Sequence, residues 1–277
     1  MNAPNTPYRP VLTNAARPST FAVQAVDETG AVRDTAVAGE HPLTLYVDKH
    51  ELVTLMTLGA APEALAIGYL RNQRLLDRIE DIVSVQVDWD VGAVVVKTRH
   101  GLRDLEEKTR KRTTTSGCGQ GTVFGDLMAE IEDVRLPTDA TLSQATLYAL
   151  LDRVRLHETI YKQAGAVHGC ALATNELDHS EILTFVEDVG RHNAVDKIIG
   201  RMLMMDRLPL SDSILFVSGR TSFEIVQKAF VAGIPLVAAV SAASSLAIDL
   251  AREAGITLVG FVRAGSFNVY AHPDRIR

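Results

Sequence analysis

Between residues 166 and 262 short apolar runs alternate with helix-patterned ones, and this alternation constrains the fold more than any other feature of the chain. Residues 166–173, 182–187, 213–217, 235–240 and 256–262 read as strands, and residues 192–205, 222–232 and 244–254 as helices. Pro235 at the start of its strand and Gly255 directly after its helix mark boundaries. Such an alternation predicts an α/β unit: a largely parallel sheet covered on both faces by helices. Just upstream, the spacing of Leu147, Leu150, Leu151, Val154 and Tyr161 predicts one amphipathic helix over 142–161.

The N-terminal part reads differently, as a smaller α+β unit. Strands are expected from Phe21 to Val26, Leu43 to Val47 and Leu52 to Leu58. Pro62 opens a helix to about Arg71, and 82–89 with 91–98 form a hairpin in which Val83, Val85 and Val87 alternate with polar neighbours. Pro4, Pro7, Pro10 and Pro18 mark residues 1–20 as a flexible tail. The expected organisation is therefore a tail (1–20), an α+β unit (21–112), a loop and linker (113–140) and an α/β unit (141–277).

Composition narrows the class of function. A formal charge of −6 argues against a general nucleic-acid binder, while a local basic patch can still hold an anion. No apolar run approaches the roughly 20 residues that span a membrane. Two cysteines at unlike sites do not form a disulfide framework, so a reducing cytoplasm is expected.

Those cysteines divide the chemistry. Cys118 lies in Thr113-Thr114-Thr115-Ser116-Gly117-Cys118-Gly119-Gln120-Gly121-Thr122, which has no aliphatic side chain and cannot build a core strand or a stable helix interior. Lys108, Arg110, Lys111 and Arg112 stand just upstream, a positive field that lowers a thiol pKa and raises its thiolate fraction. An exposed, activated thiol on a mobile loop suits sulfur chemistry with large partners. Cys170, within an apolar strand-like run, reads as a small core residue.

In a layered α/β sheet, ligands sit at the carboxyl ends of strands. Here those places are polar: Glu187 to Asn193, Ser218 to Ser222, Ser241 to Ser245, and Arg263 to Asn268. Any one such loop could serve only as a cap or turn. Together, Arg191, Arg220 and Arg263 in three different loops, beside free helix N–H groups, suit phosphate or pyrophosphate. The chain lacks a Gly-Lys-Ser/Thr phosphate loop, a Gly-x-Gly-x-x-Gly fingerprint and the zinc signature of nucleobase deaminases. His168 and His192 each read as structural histidines rather than ligands, and no metal site is expected.

The run Glu187-Asp188-Val189-Gly190-Arg191-His192-Asn193-Ala194-Val195-Asp196-Lys197 closely resembles the signature of the FdhD family. Four further blocks resemble the same family: Glu40 to Thr44, Leu55 to Gly68, Ser218-Gly219-Arg220, and Phe267 to Pro273. The resemblance runs from about residue 40 to the end. It implies a sulfur carrier that takes persulfide sulfur from a cysteine desulfurase and passes it to molybdenum bis(molybdopterin guanine dinucleotide), for a formate dehydrogenase catalytic subunit. It implies a C-terminal three-layer α/β/α unit like cytidine deaminases but without zinc. It carries the sulfur-bearing cysteine to Cys118 and the cofactor loop to Phe261-Val262-Arg263-Ala264-Gly265-Ser266. Ser218, Gly219, Arg220, Arg191, His192, Asn193 and Ser241 complete the expected cofactor site, a guanine nucleotide is the expected mimic, and a homodimer is the expected assembly. Many family members have Cys-x-x-Cys in the loop, whereas Gly121 stands here three residues after Cys118. That removes the neighbouring thiol that could resolve a persulfide into a disulfide. The alternative reading is a non-catalytic chaperone that escorts the same cofactor; a deaminase-like hydrolase is disfavoured by the missing zinc ligands.

Overall fold

Alternate residues of β4 (His41–Val47), among them Leu43, Leu45 and Val47, turn to one face and are buried there, as a period of two requires. β4 pairs with β5 (His50–Thr57), and β6 (Ile82–Asp88) with β7 (Ala93–Thr98), in two antiparallel hairpins joined by a parallel β4–β7 ladder. α1 (Pro62–Asn72) covers this face, with Pro62 in its first turn. The computed structural model describes residues 8–101, 136–157, 159–176 and 180–277. Cys118, its loop and the basic residues upstream lie outside them.

The stretch read as a free tail is partly structural. Residues Val11–Leu12 form a short strand, β1, parallel to β6, which makes the sheet order β1-β6-β7-β4-β5. The Tyr8 hydroxyl donates to the Ile82 carbonyl at 2.6 Å, and the Arg17 amide to the Gly59 carbonyl at 3.0 Å. Prolines suit this edge position because they need no ladder partner. β2 (Thr20–Val26) pairs only with β3 (Val32–Ala38), a strand with no counterpart in the sequence reading, in a hairpin that stands largely exposed.

The C-terminal sheet has six strands in the order β13-β12-β11-β10-β8-β9: β8 (His168–Thr174), β9 (Ile182–Asp188), β10 (Ser213–Val217), β11 (Leu236–Ala239), β12 (Thr257–Arg263) and β13 (Ser266–Ala271). It is less parallel than expected. Only the β10–β11 and β11–β12 ladders are parallel; β8–β9, β8–β10 and β12–β13 are antiparallel. For β12 and β13 the physical reason is connection length: β12 turns back through two residues into β13, and only antiparallel strands can be joined so tightly.

α4 (Arg191–Met204), α5 (Phe223–Val231) and α6 (Ser245–Glu253) share one core on one face of this sheet. α2 (Gln144–Leu156) covers the other through Leu147, Leu150 and Leu151. The helix expected over 142–161 breaks after Leu156 and resumes as α3 (Ile160–Ala164). Thr159 caps the new start by accepting from the Lys162 amide, and Glu187 accepts from the Ile160 and Tyr161 amides at 2.7 and 3.2 Å. These polar partners give the backbone an alternative to one continuous helix.

The two units are bound through α1 and α4. They cross so closely that a Cβ at Gly68 would lie 1.8 Å from the Asp196 carbonyl oxygen, and one at Gly200 2.0 Å from that of Ala64. Beside the crossing, the Asn72 amide donates to Asp196 Oδ1 at 2.5 Å.

Candidate functional site

Because β8 is antiparallel to both β9 and β10, the carboxyl ends of β9, β10, β11 and β12 lie at one sheet edge, and β8 and β13 begin there. Backbone hydrogen bonds tie the loops at this edge together. The Thr221 amide donates to the Ala242 carbonyl at 3.0 Å, Ser244 to Thr221 at 3.0 Å, and Phe261 to Ser241 at 3.1 Å. Ser218 Oγ accepts from the Gly169 amide at 2.9 Å. Gly219 is held so tightly that a Cβ there would meet His168 Nδ1 at 3.1 Å and Arg191 Cδ at 3.3 Å. The structure thus brings His168, Arg191 and the Ser218–Arg220 loop together. Arg263 stands further along the edge, its guanidinium donating to the Val240 carbonyl at 2.6 Å.

The helices that start here are left open. α2 and α3 are capped by Ser143 and Thr159, whose side chains accept from the first turn. The N-caps of α4, α5 and α6 are Gly190, Ser222 and Ser244, and none provides a side-chain cap. Behind them, His192 is 4% exposed, Thr221 0% and Ser222 8%. Neither ring nitrogen of His192, nor Thr221 Oγ1, Ser222 Oγ or Arg191 Nε, has a hydrogen-bond partner among the described residues. Buried polar groups are ordinarily paired, so this cluster sets the edge apart from the capped starts of α2 and α3.

The local potential is positive. Burial, then Lys228, Arg191, His168 and Arg220, push the His192 pKa down to about 2, so the ring is neutral. His168 is lowered by burial and by Arg191. Glu224 is the only acidic residue in the first turns of the three helices.

Beneath the edge, two buried carboxylates fix the floor. Asp188 accepts from Thr57 Oγ1 at 2.7 Å, the Leu58 amide at 3.3 Å, the Gly190 amide at 3.1 Å, Asn193 Nδ2 at 3.0 Å and Lys197 Nζ. Asp196 is paired with Lys228, whose Nζ lies 2.7 Å from each oxygen. Burial raises the Asp196 pKa against the pull of Lys228, and lowers that of Lys197 against Asp188. Both pairs therefore hold the edge in place rather than face a ligand.

Two of the expected site residues turn their side chains away from the edge. Asn193 donates to the Met56 carbonyl at 2.7 Å and to Asp188, so its side chain serves the junction between the units. Val262 is fully buried in the core under α2. Ser218, Arg220, Arg263, Ala264, Gly265 and Ser266 are exposed, and Ser241 and Arg191 partly so. Phe261 is 40% exposed and has a left-handed backbone, φ 51°, which a bulky side chain rarely adopts. Sequence reasoning set aside His168 and left Thr221 and Ser222 unassigned; the polar run Ser218 to Ser222 after β10 was the signal that could have found the last two. Cys170 is buried, and its pKa is pushed up to about 12, first by burial and then by Asp188. Among the described residues no group of three or more His, Cys, Asp or Glu side chains is arranged to hold a metal ion, and no helix is long and apolar enough to cross a membrane.

Comparison with known proteins gives a consistent result. The FdhD/NarQ family model matches residues 38–277. The chain is 38% identical over 253 residues to the sulfur carrier protein FdhD of Sulfurisphaera tokodaii, spanning 90% of this chain and 95% of that protein. It is 42% identical over 261 residues to that of Streptomyces coelicolor, spanning 88% and 89%. Its fold is similar to a crystal structure from Desulfotalea psychrophila, provisionally described as a formate dehydrogenase accessory protein. That match has a TM-score of 0.75 and 25% identity, over 94% of this chain and 100% of the other.

Proposed function

This chain belongs to the FdhD/NarQ family, and from that membership we propose that it is a sulfur carrier in formate dehydrogenase maturation. Its sulfur is carried on Cys118 and delivered to molybdenum bis(molybdopterin guanine dinucleotide) as substrate, bound along the strand-end edge. The Cys118 thiolate attacks the terminal sulfur of a desulfurase persulfide. The donor's S–S bond breaks, its cysteine thiolate leaves, and a Cys118 persulfide forms. The terminal sulfur then passes to the molybdenum substrate in its reduced state, which supplies the electron pair for the new molybdenum–sulfur bond and is itself oxidised by two electrons; the Cys118 S–S bond breaks, the Cys118 thiolate leaves, and the sulfurated substrate goes to the catalytic subunit of formate dehydrogenase. Lys108, Arg110, Lys111 and Arg112, close upstream in the sequence, are the residues from which a lowered Cys118 thiol pKa is expected. The edge supplies Arg191, Arg220, Arg263 and open helix N-termini for the phosphates of the cofactor arms.

The observation that carries the choice of thiol is the state of the other one. Cys170 is buried and its pKa is about 12, so at neutral pH it is a thiol out of reach of any protein-borne persulfide. Sulfur chemistry in this chain then falls to Cys118.

Intact mass after incubation with a cysteine desulfurase and cysteine tests this. The expected product carries added sulfur, which is absent in Cys118→Ala and retained in Cys170→Ala. A wild-type protein that gains no sulfur from a competent desulfurase would favour the escorting chaperone, which needs the edge but not the thiol.

A further inference from the structure

α4 starts at the strand-end edge, and at its other end a cavity of about 340 Å³ opens between the two units. That volume is at the small end of the range of about 300–1,000 Å³ in which ligand sites fall, and unit interfaces are a preferred place for them. The floor is apolar and drawn from both sides: Ile79 from the N-terminal unit, and Leu203, Leu208, Pro209 and Val231 from the C-terminal one. α1, α4 and α5 all finish here, so the negative ends of three helix dipoles, roughly half an elementary charge each, converge on one small volume. The basic side chains of their last turns are engaged. Arg71 pairs with Asp77 at 3.2 Å, the Arg201 guanidinium donates to Thr184 Oγ1 at 3.0 Å, and Lys228 is held by Asp196. At the rim Arg78 pairs with Glu80 at 3.5 Å. Asp206, also on the rim, has no cation partner among the described residues. It breaks two local rules. Its backbone is left-handed, φ 56°, where glycine or asparagine usually follows a helix, and its carboxylate opposes the dipole of the helix it follows. Such conflicts are expected where a side chain serves function rather than folding.

We propose that this cavity is a binding site for a small aliphatic amine, its alkyl stem on the apolar floor and its ammonium group at Asp206. An ammonium group meets both the unpaired carboxylate and the helix ends with attraction. A carboxylate ligand would be repelled by both, because Arg71 and Arg78 already have anionic partners. A neutral ligand would use the floor and leave the rim unanswered. The stem supplies the apolar contact that a bare metal cation or ammonium ion lacks. Because the lining comes from both units, an occupied cavity holds the end of α1 against the ends of α4 and α5, and a ligand that binds only the folded chain raises its melting temperature.

Calorimetric titration of the full chain with hexylamine, 1-hexanol and hexanoate tests this, since the ligands share a stem and differ in the head group. Hexylamine is expected to bind about tenfold more tightly than hexanol, the worth of one charge-assisted hydrogen bond, and hexanoate is expected not to bind. Asp206→Asn is expected to weaken hexylamine about tenfold and leave hexanol unchanged. Asparagine suits the left-handed backbone, so the same variant should melt no lower than wild type, which separates a binding role from a structural one. Leu208→Ser, at a partly exposed floor position, is expected to weaken hexylamine and hexanol alike. Hexanoate binding as tightly as hexylamine, hexylamine affinity unchanged in Asp206→Asn, or both affinities unchanged in Leu208→Ser would each overturn the proposal. So would wild-type protein that binds none of the ligands. Sulfur loading of Cys118, read by mass, is independent of all these outcomes.

Discussion

Replacing Gly68 by alanine adds one methyl group where α1 crosses α4, and the geometry sets the consequence. That carbon would lie 1.8 Å from the Asp196 carbonyl oxygen and 2.9 Å from the Gly200 amide nitrogen. Both are backbone atoms, so no rotamer change relieves the overlap. The helices would have to separate by about 1.5 Å to restore an ordinary contact. Overpacking of this kind costs about 1–3 kcal/mol. Separation also stretches the 2.5 Å hydrogen bond from Asn72 to the buried Asp196 carboxylate, which contributes about 1.5–3 kcal/mol. Against this, alanine is better than glycine in a helix interior by about 1 kcal/mol. The net expectation is a destabilisation of about 2–4 kcal/mol. With a urea dependence of about 3 kcal/mol/M, the midpoint falls by about 1 M. Gly200→Ala should behave alike, since its Cβ meets the Ala64 carbonyl at 2.0 Å. Equilibrium urea unfolding followed by circular dichroism measures both, and variants within about 0.5 kcal/mol of wild type would refute the tight crossing as the bond between the units.

Alkylation of the folded protein at neutral pH should label Cys118 and spare Cys170, whose pKa is about 12, until denaturant is added; peptide mapping that finds Cys170 labelled first would contradict its buried state. Lys197→Met should destabilise by about 3–5 kcal/mol, because it leaves Asp188 buried without its cation, and a stability unchanged in urea would count against an ionised pair. The His192 ring has a pKa of 6.5 when unfolded and about 2 when folded, so below pH 6.5 the unfolded chain binds a proton that the folded one refuses. Stability from this group is complete above pH 6.5 and falls by about 2–3 kcal/mol on acidification to pH 4.5; His192→Gln should lose less over that range, and identical pH profiles for the two proteins would disprove the assignment.

The sequence alone determined most of the elements between 182 and 262 and the class of fold. Helix and strand periods over 182–262 depend on local spacing, and Pro62, Pro235 and Gly255 act through their own backbone limits, so the boundaries they mark needed no tertiary context. The motif blocks likewise identified the family before any geometry. What local pattern could not carry was pairing. The antiparallel return of β13, the parallel docking of β1 on β6 and the break between α2 and α3 each depend on partners elsewhere in the chain: Leu258 to Arg263 for β13, Ser84 and Val85 for β1, and Glu187 for the start of α3. The site divides the same way. Arg191, Arg220 and Arg263 were legible as polar residues at strand ends. That Asn193 would turn to Met56, that Val262 would face α2, and that His192, Thr221 and Ser222 would be buried together without partners among the described residues was decided only when sheet order brought four strand ends and three helix starts to one edge. A side chain's identity is local, but its hydrogen-bond partner is not, and at this edge the missing partners carry the information.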